Sequence, residues 1–238
     1  MRISLFIPCF VEQCFPKAAI AMADLFEGLG HSVDVPPGQT CCGQPAFNSG
    51  YWDETRAVAA RHIACFADSE VVVGPSGSCV AMMKNFFPEI FAGRPEEAAA
   101  KDLAGKVYEF SEFMVGVLGV EDVGARLAAR ATFHDGCHGL RELHLKSQPR
   151  KLLAKVKELE LVEMAPAENC CGFGGTFSVK FPAISAAMGE VKADSIAATG
   201  ADVVISCDPS CLMQIGGIMK RQGRPIRCMH IAEVLVCR

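Results

Sequence analysis

Thr40-Cys41-Cys42-Gly43 and Asn169-Cys170-Cys171-Gly172 are two copies of one element, and the chain is read outward from them. Cys9 precedes the first pair with 31 residues between, and Cys137 precedes the second with 32 between. Downstream, Val71-Val72-Val73-Gly74-Pro75-Ser76-Gly77-Ser78-Cys79 matches Val203-Val204-Ile205-Ser206-Cys207-Asp208-Pro209-Ser210-Cys211. Each is an apolar, β-branched run ending in a cysteine, the pattern of a buried strand with a thiol beyond its C-terminal end. Two matched quartets emerge: Cys9, Cys41, Cys42 and Cys79, then Cys137, Cys170, Cys171 and Cys211.

The stretches between the cysteines alternate strand and helix. Residues 2–8 and 131–134 read as strands, each followed by a cysteine. Ala18, Ala19, Met22, Leu25, Phe26 and Leu29 share one helical face, and Gly30 stops that helix. A short strand at 33–35 leads to the first Cys-Cys-Gly, and one at 159–164 leads to the second. Helices are expected near 53–67, 93–104, 148–158, 183–198 and 212–221, with strands near 71–73 and 202–206. Lys106–Phe113 and Pro225–Leu235 each read as a strand running into a helix, the first through Phe110-Ser111-Glu112-Phe113. The fold class is therefore α/β: two tandem pseudo-symmetric repeats with mainly parallel sheets, each carrying one cysteine motif. The expected division is 1–120 and 121–238. In parallel α/β sheets ligands sit beyond the carboxyl ends of the strands, where these cysteines fall.

Composition narrows the function. The 238 residues carry a net charge of −4 without a basic block, which gives nucleic acid no electrostatic foothold. No apolar run approaches the roughly 20 residues of a membrane span, and the start is broken by Pro8 and Glu12 rather than forming a secretory leader. A cytoplasmic location is expected, where 13 cysteines favour metal or redox chemistry over disulfides. No Ser-His-Asp array, P-loop, flavin fingerprint or HExxH motif is present, and Gly172-Phe173-Gly174-Gly175 lacks the spacing of a nucleotide loop. Its glycines are assigned instead to close backbone approach around a bulky cluster.

Four thiolates suit an iron–sulfur cluster or a tetrahedral zinc. An adjacent Cys-Cys pair strains chelation of one ion, yet reaches two irons of a cluster, which favours iron–sulfur. His134 and His138 flank Cys137 and are read as either structural or as donors to a cluster sulfur. Cys14, Cys65, Cys228 and Cys237 match no motif position and are read as small buried hydrophobes. The methionines at 22, 82, 83, 188, 213 and 219 are read as core. His31, His62, His144 and His230 are read as ordinary helix or loop residues.

These cysteines resemble the cysteine-rich CCG family, which includes the cysteine-rich component of heterodisulfide reductase and the iron–sulfur subunit of glycolate oxidase. The resemblance covers the whole chain. It is nearest to the branch of that family serving lactate utilisation, on residues 40–50, 75–79 and 134–143. It implies an iron–sulfur electron-transfer subunit of a multi-subunit L-lactate oxidation complex, not catalytic alone, with a ferredoxin-like iron–sulfur protein and a small protein as partners. It implies up to two 4Fe-4S clusters on the eight cysteines, with zinc in one repeat as the alternative. The family's final C-x-x-C is incomplete here, because Ser76 and Asp208 occupy its first cysteine positions. Four thiols per repeat, not five, leave disulfide-cleaving chemistry unsupported, and Cys207 is a candidate replacement one residue away. A zinc-organised interaction protein and a reductase of the heterodisulfide type stand as the other readings.

Overall fold

A computed structural model describes residues 1–238. It contains two four-stranded sheets, all of whose strand pairs are parallel. The first holds β1 (Arg2–Leu5), β2 (Ser32–Asp34), β3 (Val71–Gly74) and β4 (Val107–Glu109), in the order β2-β1-β3-β4. The second holds β5 (Arg126–His134), β6 (Lys157–Leu161), β7 (Val203–Ser206) and β8 (Arg227–His230), in the order β6-β5-β7-β8. The orders are identical once β1 is matched with β5. The duplication inferred from the cysteine spacing is thus a duplication of topology. In both sheets the chain reverses its winding beside the first strand, the place where α/β sheets open a crevice.

Strand alternation sends side chains to two different cores. Ile3, Leu5, Val71, Val73, Val203 and Ile205 enter a cluster of 24 buried residues lying between the sheets. Val72 and Val204 face outward into separate clusters under the outer helices. The central cluster belongs to both repeats, eleven residues coming from the first and thirteen from the second. Its helices are exchanged: the last helix, Ile231–Leu235, packs on Pro16–Gly28, while Phe110–Glu112 packs on Ser147–Leu153.

Several segments differ from the sequence-based expectation. β5 begins at Arg126, five residues early, because its first half pairs along the edge strand β6 and is only half covered. The 93–104 helix is observed at Glu97–Lys106 and buries Ala100, Leu103 and Ala104, so it is not purely a surface helix. The methionine-bearing helix after β3 widens into a π turn over Met82–Phe86. No helix is long and apolar enough to cross a membrane. Cys14 is exposed, and Cys65, Cys228 and Cys237 are half-buried, so none of these four is the buried hydrophobe expected. Two of them have polar partners: the Cys65 thiol donates to Pro37 O at 3.4 Å and the Cys237 thiol to Glu233 O at 3.3 Å.

Behind the strand ends, β4 and β8 finish in matched helix caps. Glu109 accepts from the Ser111 and Glu112 amides, and Glu112 accepts in return from the Glu109 amide. In the second repeat His230 Nδ1 accepts from Ala232 N at 3.2 Å, so its proton lies on Nε2. Both caps are fully buried. Burial pushes the Glu109 carboxyl up to about 7 and pulls His230 down to about 4. Glu109 therefore holds a proton in the folded protein that the unfolded chain, titrating near 4.5, gives up first. Between those two values stability falls as pH rises, by about 3 kcal/mol. Glu109→Gln is expected to abolish that loss. In urea denaturation the variant gains on the wild type steadily from pH 5 to 7.5; parallel pH profiles for the two proteins would show Glu109 to be irrelevant to it.

Candidate metal centre

The four cysteines of each repeat arrive from three strand ends. Cys9 and Cys137 open the helices Cys9–Cys14 and Cys137–Glu142 directly after β1 and β5. The Cys-Cys pairs lie in the loops after β2 and β6. Cys79 and Cys211 lie in the first turns of the helices Gly77–Ala81 and Pro209–Arg221, after β3 and β7. In the first repeat Gln39 sets the loop. Its side chain accepts from Ile7 N and donates to Leu5 O, both at 2.8 Å, extending the edge beside β1 and carrying Cys41 toward Cys9.

All eight cysteines line one cleft of ≈ 810 Å³, part of it open to solvent. Its lining also includes His138, Ser76, Asp208, Phe10 and Phe173. Thiol-to-thiol contacts run Cys9–Cys41–Cys42–Cys79 in one quartet and Cys137–Cys170–Cys171–Cys211 in the other. Contacts from Cys42 and then Cys9 hold Cys41 far below the usual thiol range. Cys137 and then Cys171 do the same for Cys170, helped by the Gly172 amide, which donates to its sulfur at 3.4 Å. The remaining thiols of the coupled sets, Cys9, Cys42, Cys137 and Cys171, are raised first by the hydrogen bond each shares with its neighbouring cysteine and then by burial. Four thiols from each repeat on one cleft, one of each set held as a thiolate, are a donor set that fits a metal or cluster.

The glycine of each pair has a local cause. Gly43 and Gly172 adopt φ of +84° and +85°, the left-handed region. A Cβ on Gly172 would lie 2.4 Å from Ser185 O, so Gly172 makes a close approach to the helix Pro182–Ala197. Gly174 and Gly175 line the cleft beside the cysteines, and the Gly172 amide donates to Cys170.

Ser76 and Asp208, at the positions where the family carries a further cysteine, meet one another across the repeats. Ser76 Oγ donates to Asp208 Oδ1 at 2.9 Å, and Ser78 donates to the same oxygen through Oγ at 2.9 Å and through N at 3.2 Å. Both Ser76 and Asp208 are buried. Burial pushes the Asp208 carboxyl up, and its three donors pull it back. Each side chain is thus committed to joining the two halves. Cys207 does not line the cleft: it belongs to the central core, and its thiol donates to Ser111 Oγ at 3.8 Å.

Two residues beside the quartets were not singled out as site residues from sequence. His62 Nε2 donates to Thr40 O and Cys41 O, each at 3.1 Å, and burial lowers its pKa. Lys192, fully buried at the matching place in the second repeat, donates to Ala167 O at 2.9 Å and Pro166 O at 3.4 Å. Each pins the loop that carries its Cys-Cys pair. The signal available was their separation from the pairs, 20 residues from Cys42 and 21 from Cys171. His134 is fully buried, whereas His138 is half-exposed on the cleft wall. The His134 ring and the sulfurs of Cys171 and Cys211 bring three donor atoms within 4.8 Å of one another; the first quartet supplies no such group.

Fold and site together define a duplicated α/β protein with two cysteine quartets on one cleft, a donor set suited to metal or cluster binding. The cysteine-rich domain of the CCG family matches twice, over residues 3–84 and 131–216. Lactate utilization protein A of Geobacillus kaustophilus (strain HTA426) is 51% identical over 239 residues, covering 100% of both chains. That of Bacillus subtilis (strain 168) is 48% identical over 239 residues, again covering 100% of both. The chain belongs to the cysteine-rich CCG family and, within it, to the family of the lactate utilization A proteins. Among solved structures, a hypothetical protein from Helicobacter pylori superposes with a TM-score of 0.69 at 10% identity. That match covers 100% of this chain but 49% of the other, and it shows a shared fold alone.

Proposed function

We propose that the protein holds one iron–sulfur cluster in each repeat and passes electrons as a subunit of an L-lactate-oxidising system. The observation that supports this reading is the placement of all eight motif cysteines, four from each repeat, on one cleft. Four thiolates are what a four-iron cubane takes, and an adjacent Cys-Cys pair can reach two of its irons. The bound clusters would supply one-electron chemistry. The residues themselves supply the thiolates, a half-buried wall of Phe10 and Phe173 whose rings stand 5.3 Å apart, and loops pinned by His62 and Lys192.

The substrate comes from the relatives' name. Oxidation of a 2-hydroxy acid to a 2-oxo acid releases two electrons and two protons. Two one-electron centres facing one cleft match the electron count, while removal of the pair needs a flavin, a nicotinamide or a comparable centre on a partner. Tyr51, Trp52, Val179, Phe181 and Ile184 are exposed, and Lys180 reaches Ser49 at 3.2 Å to join the two segments that carry them. These side chains offer an apolar surface for a partner protein. A cytoplasmic setting is part of the same proposal.

The test is a pair of variants. Reconstituted anaerobically with iron and sulfide, the protein is expected to show broad visible absorbance that dithionite bleaches. Cys42→Ser and Cys171→Ser are each expected to lose about half of the iron, since each removes a ligand from a different four-thiolate site. Retention of full iron by both would remove the cysteine pairs from the site.

A further inference from the structure

The two repeats differ where they should agree. His134 stands three residues before Cys137, and Phe6 stands three residues before Cys9. Both are fully buried at the ends of the central strands. Phe6 is satisfied there, its ring 5.2 Å from that of His62 and 6.2 Å from that of Phe66. His134 is not: neither Nδ1 nor Nε2 has a hydrogen-bond partner. A buried ring with two orphan nitrogens is destabilising unless something binds one of them. What lies within 4.8 Å is sulfur, from Cys171 and Cys211. A thiol is a weak partner for imidazole, but two thiolates and an imidazole are a metal-binding set.

We propose that His134 is a ligand of the metal centre of the second repeat, beside Cys171 and Cys211, which makes that centre a mixed cysteine–histidine site with no counterpart in the first repeat. The inference rests on the proposed reading of the quartets as metal centres. An imidazole nitrogen without a hydrogen-bond partner offers the lone pair that binds metal. Asp135, the next residue, is turned away and held by Arg150 and Lys146 at 2.8 and 2.9 Å, so it does not compete for the ring.

The consequence is directional. Histidine in place of, or beside, thiolate lowers the negative charge of a cluster and raises its reduction potential. The second centre is therefore expected at the higher potential of the two.

The experiment uses the full chain, labelled with ¹⁵N-histidine, reconstituted with iron and sulfide, reduced with dithionite and examined by pulsed EPR. The wild type is expected to show the coupling of a directly bound histidine nitrogen. His134→Phe loses it, His138→Phe keeps it, and His134→Cys restores metal content without nitrogen and with a lower midpoint potential for that centre. A reduced cluster in the wild type without a bound-nitrogen signal overturns the proposal. If the protein takes up zinc and no cluster, the iron–sulfur reading fails instead. X-ray absorption of the zinc form then decides the ligand: nitrogen at about 2.0 Å that vanishes in His134→Phe sustains it, and sulfur alone overturns it.

Discussion

Neither residues 1–120 nor residues 121–238 are expected to fold when produced alone. The central core explains why. Cutting between the repeats strips eleven buried residues on one side and thirteen on the other of their partners, among them Phe26, Phe110, Phe113, Phe133, Ile205 and Leu235. Burial of each large side chain is worth about 1.5–3 kcal/mol. Even partial exposure of the set exceeds the roughly 5–15 kcal/mol by which whole domains are stable. The exchanged helices sharpen the effect, since Ile231–Leu235 would be severed from Pro16–Gly28. The Ser76–Asp208 hydrogen bond would be lost at the same cut. Circular dichroism of each fragment should show little structure, and mixing the two should restore it. A fragment that unfolds cooperatively on its own would contradict the shared core.

Gly172→Ala is expected to destabilise the protein by about 3–5 kcal/mol, combining left-handed backbone strain with overpacking. The added methyl would lie 2.4 Å from Ser185 O, 3.0 Å from Met188 Cβ and 3.2 Å from Gly189 N. Two of those atoms are backbone and have no rotamer to move to. Gly43→Ala is the internal control. Its φ is nearly the same, but the nearest atom is the Thr55 methyl at 3.3 Å, a side chain with some freedom. About 1–2 kcal/mol is expected there, close to the strain alone. Urea midpoints of the two variants measure the difference, and equal losses would show that the packing against Ser185 is not the cause.

The architecture is readable because each cysteine sits where a strand ends. Thiols at 9, 79, 137 and 211 mark chain reversals that any parallel sheet must bring to one edge. What escapes such a reading has a common physical reason: it depends on contacts between the repeats. Phe110 and Ile231 are ordinary apolar residues in sequence, and nothing local says that each packs on the other repeat. Glu109 and His230 look like polar residues at strand ends, yet both are buried caps. His62 and Lys192 lie on helices of mixed composition, and only superposing the repeats shows that they do the same job. Ser76 and Asp208 read as gaps in a motif. They are a joint between the halves, which is why their lack of sulfur does not leave holes. Cys14 departs from the expectation for a local reason: it follows Glu12-Gln13 and ends a six-residue helix on the exposed side.

The comparison of His134 with Phe6 has the same lesson for the site. Composition treats histidine beside a cysteine as decoration, structural or otherwise. Full burial, two nitrogens without a hydrogen-bond partner and two sulfurs within 4.8 Å make it a different kind of group.

The central claim is that the two quartets hold iron–sulfur clusters, and iron and acid-labile sulfide in the anaerobically purified wild type test it most directly. About eight irons and eight sulfides per chain are predicted, four of each for every repeat. A chain that carries zinc, or no metal at all, after anaerobic purification and reconstitution would contradict it.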